Sequence, residues 1–118
     1  MTKIAPKTLA KRIVKIALSK KAEKIVLLDL RKISSMTDYF LVCSAGSEVQ
    51  ARVIAETILD SLDGSGMKCS VEGLGGSHWI LIDCYCVVVH VFLPEVRQFY
   101  GLERLWGDAP REEFSDDE

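Results

Sequence analysis

Apolar residues recur along the chain with two different periods. Leu9, Ile13, Ile16 and Ala17 share one helical face, and Lys7, Lys11 and Lys15 share another that suits solvent. Pro6 lies just upstream, Thr8 is a candidate N-cap, and Lys20-Lys21 puts positive charge where that helix should end. The period then changes. Ile25-Val26-Leu27-Leu28 is an unbroken apolar run closed by Asp29, too short for a helix and branched enough for a strand covered on both faces. Arg31 to Thr37 is a polar connection, and Tyr39-Phe40-Leu41-Val42-Cys43 reads as a second strand.

The sharpest local signal follows. Ser47 and Gln50 form an S-x-x-Q capping box, so a helix should start there and bury Ala51, Ile54, Ala55, Ile58, Leu59 and Leu62, until Gly64 and Gly66 stop it. Cys69 to Glu72 reads as a short strand. Trp79 to Asp83 and Cys86 to Phe92 are two strands joined by a very tight turn, which predicts a hairpin. Pro94 opens a last helix carrying Val96, Phe99 and Tyr100, which Gly101 interrupts before Leu102, Leu105 and Trp106. The expected architecture is α/β (α+β): one domain over residues 1–107, with a mixed five-stranded sheet and flanking helices. Residues 108–118 read as a flexible acidic tail, although Phe114 could dock.

Composition narrows the function classes. The 118 residues make one domain, and the nearly apolar runs fall far short of the 18 or more residues that span a bilayer. A net charge of -2 hides an asymmetry: residues 1–24 carry +7 and residues 107–118 carry -5. An acidic chain is a poor nonspecific nucleic-acid binder, although its basic first helix could touch a phosphate backbone. Cys43, Cys69, Cys84 and Cys86 lie in or beside apolar strands, as free buried thiols do, and no secretory signal precedes them. The expected compartment is the cytoplasm.

Candidate chemistry is sparse. Gly73-Leu74-Gly75-Gly76-Ser77 precedes a strand where a dinucleotide loop needs a helix, so it reads as a flexible loop. Cys84, Cys86, His78 and His90 are the only soft-metal set, and they lack the spacing of a closed four-ligand site. Residues four apart in a strand lie about 13 Å apart, which keeps Cys86 and His90 from sharing an ion. A Cys-His dyad oriented by Asp83 rests on composition alone. No catalytic residue, cofactor or metal is expected. Trp79, Leu81 and Asp83 alternate onto one strand face opposite Ile80 and Ile82, with Tyr85 beside them. Such a face suits protein binding, because aromatics anchor interfaces. The competing reading makes Trp79 a cap on the core.

Thr37-Asp38-Tyr39-Phe40, Ser44-Ala45-Gly46-Ser47, Glu72-Gly73, Trp79 through Asp83, Val87-Val88-Val89-His90-Val91-Phe92 and Arg97 through Ala109 occur together and in order. In this combination the chain resembles the ribosomal silencing factor family, also called RsfS or Iojap-like. The resemblance implies a fold similar to that of nucleotidyltransferases, without transferase activity. It implies a translational repressor that binds the fourteenth protein of the large ribosomal subunit and sterically blocks joining with the small subunit. It also implies a homodimer when free and a contact surface around Glu72, Trp79, Asp83 and Tyr85, with His90 a secondary candidate. A large-subunit assembly factor is the alternative, and a nucleotidyltransferase-like enzyme a more distant one. The family usually has an aromatic, a Gly and a polar or acidic residue where this chain has Cys84-Tyr85-Cys86, and Val49 stands where a basic residue is common.

Overall fold

The computed structural model describes residues 5–33, 35, 37–64, 66–76, 78–101, 107 and 109–114. Along them run α1 (Pro6–Ser19), β1 (Glu23–Asp29), β2 (Tyr39–Ser44), α2 (Glu48–Gly64) and β3 (Ser70–Glu72). There follow β4 (Trp79–Asp83), β5 (Val87–Phe92), α3 (Pro94–Tyr100) and β6 (Arg111–Phe114). Helix α1 starts at Pro6, before the expected cap at Thr8, and no side chain caps it. A proline there gives up an amide that the first helical turn would leave unbonded anyway. Gly101 closes α3 in the left-handed conformation, with φ 58°. Leu102, Leu105 and Trp106 lie outside the described residues.

The capping box at the start of α2 forms with a shift. Ser47 Oγ accepts the Gln50 amide at 3.1 Å, as expected, but Gln50 Oε1 accepts the amide of Gly46 at 2.6 Å rather than that of Ser47. The Gln50 amide nitrogen then donates to the carbonyls of Lys20 and Lys21 at 3.2 and 3.0 Å. One side chain thus caps α2 and pins the turn between α1 and β1.

The sheet order is β3-β4-β5-β2-β1-β6. The central β2–β5 pair is parallel, and all the others are antiparallel. Trp79 pairs with Phe92 and Asp83 with Val88, which is the expected hairpin. Helices α1 and α2 cover one face. Leu9, Ile13 and Ala17 with Ile54, Ile58 and Leu62 pack on Ile25, Leu27, Leu41, Val89, Ile80 and Ile82, all buried.

The sheet has six strands, not five. The sixth, β6, lies inside the segment expected to be a tail and pairs with β1, Ile25 opposite Phe114 and Leu27 opposite Glu112. Phe114 packs against the helix-side core, and Lys11 of α1 ion-pairs with Glu112 at 2.7 Å while lying 4.7 Å from the Phe114 ring centre. Arg111-Glu112-Glu113-Phe114 carries no alternation of its own. It becomes a strand because β1 offers an edge of unbonded backbone groups and α1 a lysine above it.

The second sheet face is covered unevenly. At the β1 end, Val26, Leu28 and Leu30 cluster with Ala109 and Phe40. Nearer the centre, Arg97 of α3 donates to Ser44 Oγ at 2.8 Å. Toward β4 and β3 the cover by described residues thins, and the face grades from half-buried to exposed.

Candidate functional site

Register decides which side chains share the open face. Glu72 is opposite Leu81, Leu81 opposite His90, and His90 opposite Val42; Asp83 is opposite Val88, and Val88 opposite Phe40. Directly paired residues point to the same side. The face therefore carries Glu72 on β3, Trp79, Leu81 and Asp83 on β4, Val88, His90 and Phe92 on β5, and Phe40 and Val42 on β2. Burial falls steadily outward along it. Val42, His90 and Phe92 are buried, Phe40, Val88, Trp79 and Leu81 are half-buried, and Asp83 and Glu72 are exposed.

Trp79 is the keystone of this surface. Its ring stacks on Phe92 with centroids 5.0 Å apart, and its indole N–H donates to His90 Nδ1 at 3.1 Å. Phe40 meets the His90 ring edge-on at 4.7 Å, and Phe92 stacks parallel to His90 at 5.9 Å. Accepting at Nδ1 assigns the His90 proton to Nε2, an atom that is buried and has no partner among the described residues. Burial alone pushes the His90 pKa down to about 4, so at neutral pH the ring is uncharged. Its role is to hold the indole plate with the plate's polar edge turned inward and its half-exposed side left apolar.

The β4–β5 turn presents the remaining candidates. Tyr85 has φ 73°, in the left-handed region, and the residue is 89% exposed. Asp83 Oδ1 accepts the Tyr85 amide at 2.9 Å, and the Cys84 amide donates to the Val87 carbonyl at 2.9 Å. Asp83 thus braces a turn whose middle residue is strained. The Gly73 loop is more constrained than its glycine content implies. Gly73 has φ 91°, and a Cβ there would overlap the Trp79 carbonyl oxygen, so the loop passes directly against the start of β4.

The structure brings Trp79, Asp83 and Glu72 onto one face, with Tyr85 at its end, and sets His90 beneath Trp79 rather than at the surface. Trp79 is neither a buried core cap nor fully exposed. No dyad forms: His90 Nδ1 is taken by Trp79, and Asp83 holds the turn. Leu81, Phe40 and Val88 extend the patch. Leu81 was legible from alternation and Val88 follows from the β4–β5 hairpin, opposite Asp83, whereas Phe40 joins only through the parallel β2–β5 register, which local sequence does not encode. Among the described residues, no group of three or more His, Cys, Asp or Glu is placed to hold a metal, and no helix is long and apolar enough to cross a membrane. An apolar centre with an exposed acidic rim has the anatomy of a protein-binding surface.

Comparison with known proteins bears on the family and the fold. Residues 3–118 match the family model described as "Ribosomal silencing factor during starvation". Over 105 residues the chain is 45% identical to the ribosomal silencing factor RsfS of Bacillus subtilis (strain 168), covering 85% of this chain and 89% of that one. The crystal structure of protein CV0518 from Chromobacterium violaceum superposes with a TM-score of 0.85 at 30% identity, covering 88% of each chain. A crystal structure from Bacillus halodurans gives a TM-score of 0.81 at 37% identity, covering 92% of this chain and 99% of that one. With the family model spanning nearly the whole chain and the same fold in two solved relatives, this protein belongs to the RsfS family of ribosomal silencing factors.

Proposed function

We propose that the protein is a cytoplasmic translational repressor that docks through the open face of its sheet on the large ribosomal subunit, at that subunit's fourteenth protein. Bound there, it sterically prevents joining with the small subunit. Family membership supports a ribosome-associated regulatory role, and the observation that carries the docking surface is the half-exposed Trp79 plate, preorganised by His90 and Phe92. Interface energy concentrates on buried aromatic anchors, and a side chain already held in its bound orientation loses little entropy on docking. Glu72 and Asp83 at the rim favour a basic protein partner. Function requires only a surface, with no catalytic group. When free, the protein is expected to be a homodimer.

The basic helix α1 lies on the opposite side of the sheet, so one flat contact cannot use both Trp79 and α1. Lys11 is moreover held by Glu112 and Phe114. Contact with ribosomal RNA through α1 is therefore peripheral to docking.

Sucrose-gradient sedimentation of purified subunits with and without the protein tests binding and joining together. Trp79→Ala should weaken large-subunit binding at least about 30-fold and abolish inhibition of joining after correction for the folded fraction. Lys11→Ala should produce only a small, salt-dependent effect. The site assignment fails if Lys11→Ala is the more damaging change and Trp79→Ala binds normally. Wild-type binding that leaves joining unaffected would instead favour an assembly factor using the same face.

A further inference from the structure

Three of the four cysteines gather at one edge of the sheet, behind the docking face. Ser70 pairs with Asp83 in the antiparallel β3–β4 ladder, so the next pair outward sets Cys69 opposite Cys84. Both thiols lie on the helix side of the sheet, with Sγ atoms 2.7 Å apart. Cα atoms of directly opposed antiparallel residues are about 4.5–5.5 Å apart, within the span that a disulfide bridges, and the sulfurs need to close by only about 0.7 Å to bond. Cys69 is half-buried and reachable from solvent, whereas Cys84 is buried behind it. Cys86 is half-buried on the far side of the Tyr85 turn, and Cys43 is fully buried in β2.

We propose that Cys69 and Cys84 are a site of reversible covalent modification, forming a cross-strand disulfide by exchange with a low-molecular-weight disulfide. The Cys69 thiolate attacks one sulfur of the small disulfide, making a mixed disulfide and releasing one small thiolate, which takes up the proton that Cys69 lost. The Cys84 thiolate then attacks the Cys69 sulfur and expels the second small thiolate, which takes the proton of Cys84. Two protein thiols are oxidised, and one small disulfide is reduced to two thiols. The bond closes a loop that holds Glu72 and the Gly73 turn, and it ties the three-residue edge strand β3 to β4. It does so from the helix side and leaves the Trp79 face uncovered. Burial raises the pKa of Cys69 and Cys84, so thiolate is scarce and exchange is slow near neutrality. The rate should therefore rise about tenfold per pH unit between pH 7 and 8. Formation of the bond is independent of the docking reading.

The test uses the full chain and oxidised glutathione at pH 8, with intact mass, thiol titration and peptide mapping as readouts. The expected product has lost two hydrogens and two of its four free thiols, and yields one linked peptide pair containing Cys69 and Cys84. Its melting temperature should rise by about 10 °C and return to the starting value on reduction with dithiothreitol. Cys86→Ser should react normally, and Cys69→Ser should form no internal bond. Cys69→Ser alters a half-buried position and so remains a usable test even if Cys84→Ser fails to fold. A stable glutathione adduct on Cys69, a bond that uses Cys86, or retention of all four thiols would each overturn the proposal.

Discussion

Strand β4 shows two environments on one five-residue segment. Ile80 and Ile82 point to the helices and are completely buried, whereas Trp79, Leu81 and Asp83 point the other way and grade from half-buried to exposed. On the helix side, burial is deep where α1 and α2 lie over the central strands, and it lessens only at the two edge strands, where Val71 is half-buried and Glu112 is exposed. On the open side, cover by the described residues thins beyond β5, and the polar groups there are organised rather than excluded: His90 receives the indole N–H, and Asp83 receives the Tyr85 amide. The difference teaches a division of labour. The helix face supplies stability, and the open face uses a few specific contacts to hold an apolar surface in one orientation.

Ile82→Ala probes the division most strongly. Removal of a fully buried isoleucine side chain should cost about 3 kcal/mol in denaturant unfolding, and large-subunit binding should be unchanged once the folded fraction is corrected. An equal loss of intrinsic affinity in Ile82→Ala and Trp79→Ala would erase the distinction between the two faces.

His90 tests whether the open face is organised as described. Its folded pKa, about 4, lies below the ordinary value of 6.5, so the unfolded chain takes up the proton first as pH falls. Its contribution should be complete above pH 6.5, decline as pH drops toward 4, and stay flat below that. The full loss is about 3 kcal/mol. Carboxylates titrate in the same window, so the measurement is the difference between the wild-type and His90→Phe stability profiles over pH 4–7. Parallel profiles would show that His90 titrates as it does in the unfolded chain, and the buried neutral ring beneath Trp79 would have to be abandoned.

Tyr85→Gly sharpens the comparison at its edge. Glycine takes the left-handed conformation freely, so thermal or denaturant unfolding should show a gain of about 1 kcal/mol. The same change removes an exposed ring from the rim and should weaken subunit binding a few-fold. Greater stability with undiminished binding would leave Tyr85 a strained turn residue outside the interface.

Local pattern by itself determined much of this protein. Helix and strand periods marked α1, α2 and the β4–β5 hairpin, the S-x-x-Q box marked the start of α2, and alternation put Trp79 and Asp83 on one side of β4 and Ile80 and Ile82 on the other. Those features depend on residues close in the chain, where backbone geometry alone sets which side chains are neighbours. Tertiary structure decided the rest. Strand β6 exists because β1 had an edge to fill, Gln50 reaches the carbonyls of Lys20 and Lys21 only when α1 and α2 pack side by side, and Phe40 joins the open face only through the parallel β2–β5 pairing. The state of His90 belongs to the same class. A histidine in an apolar strand is compatible with solvent exposure or with burial, and the indole of Trp79, eleven residues away, sets its tautomer, while burial of the ring keeps it neutral.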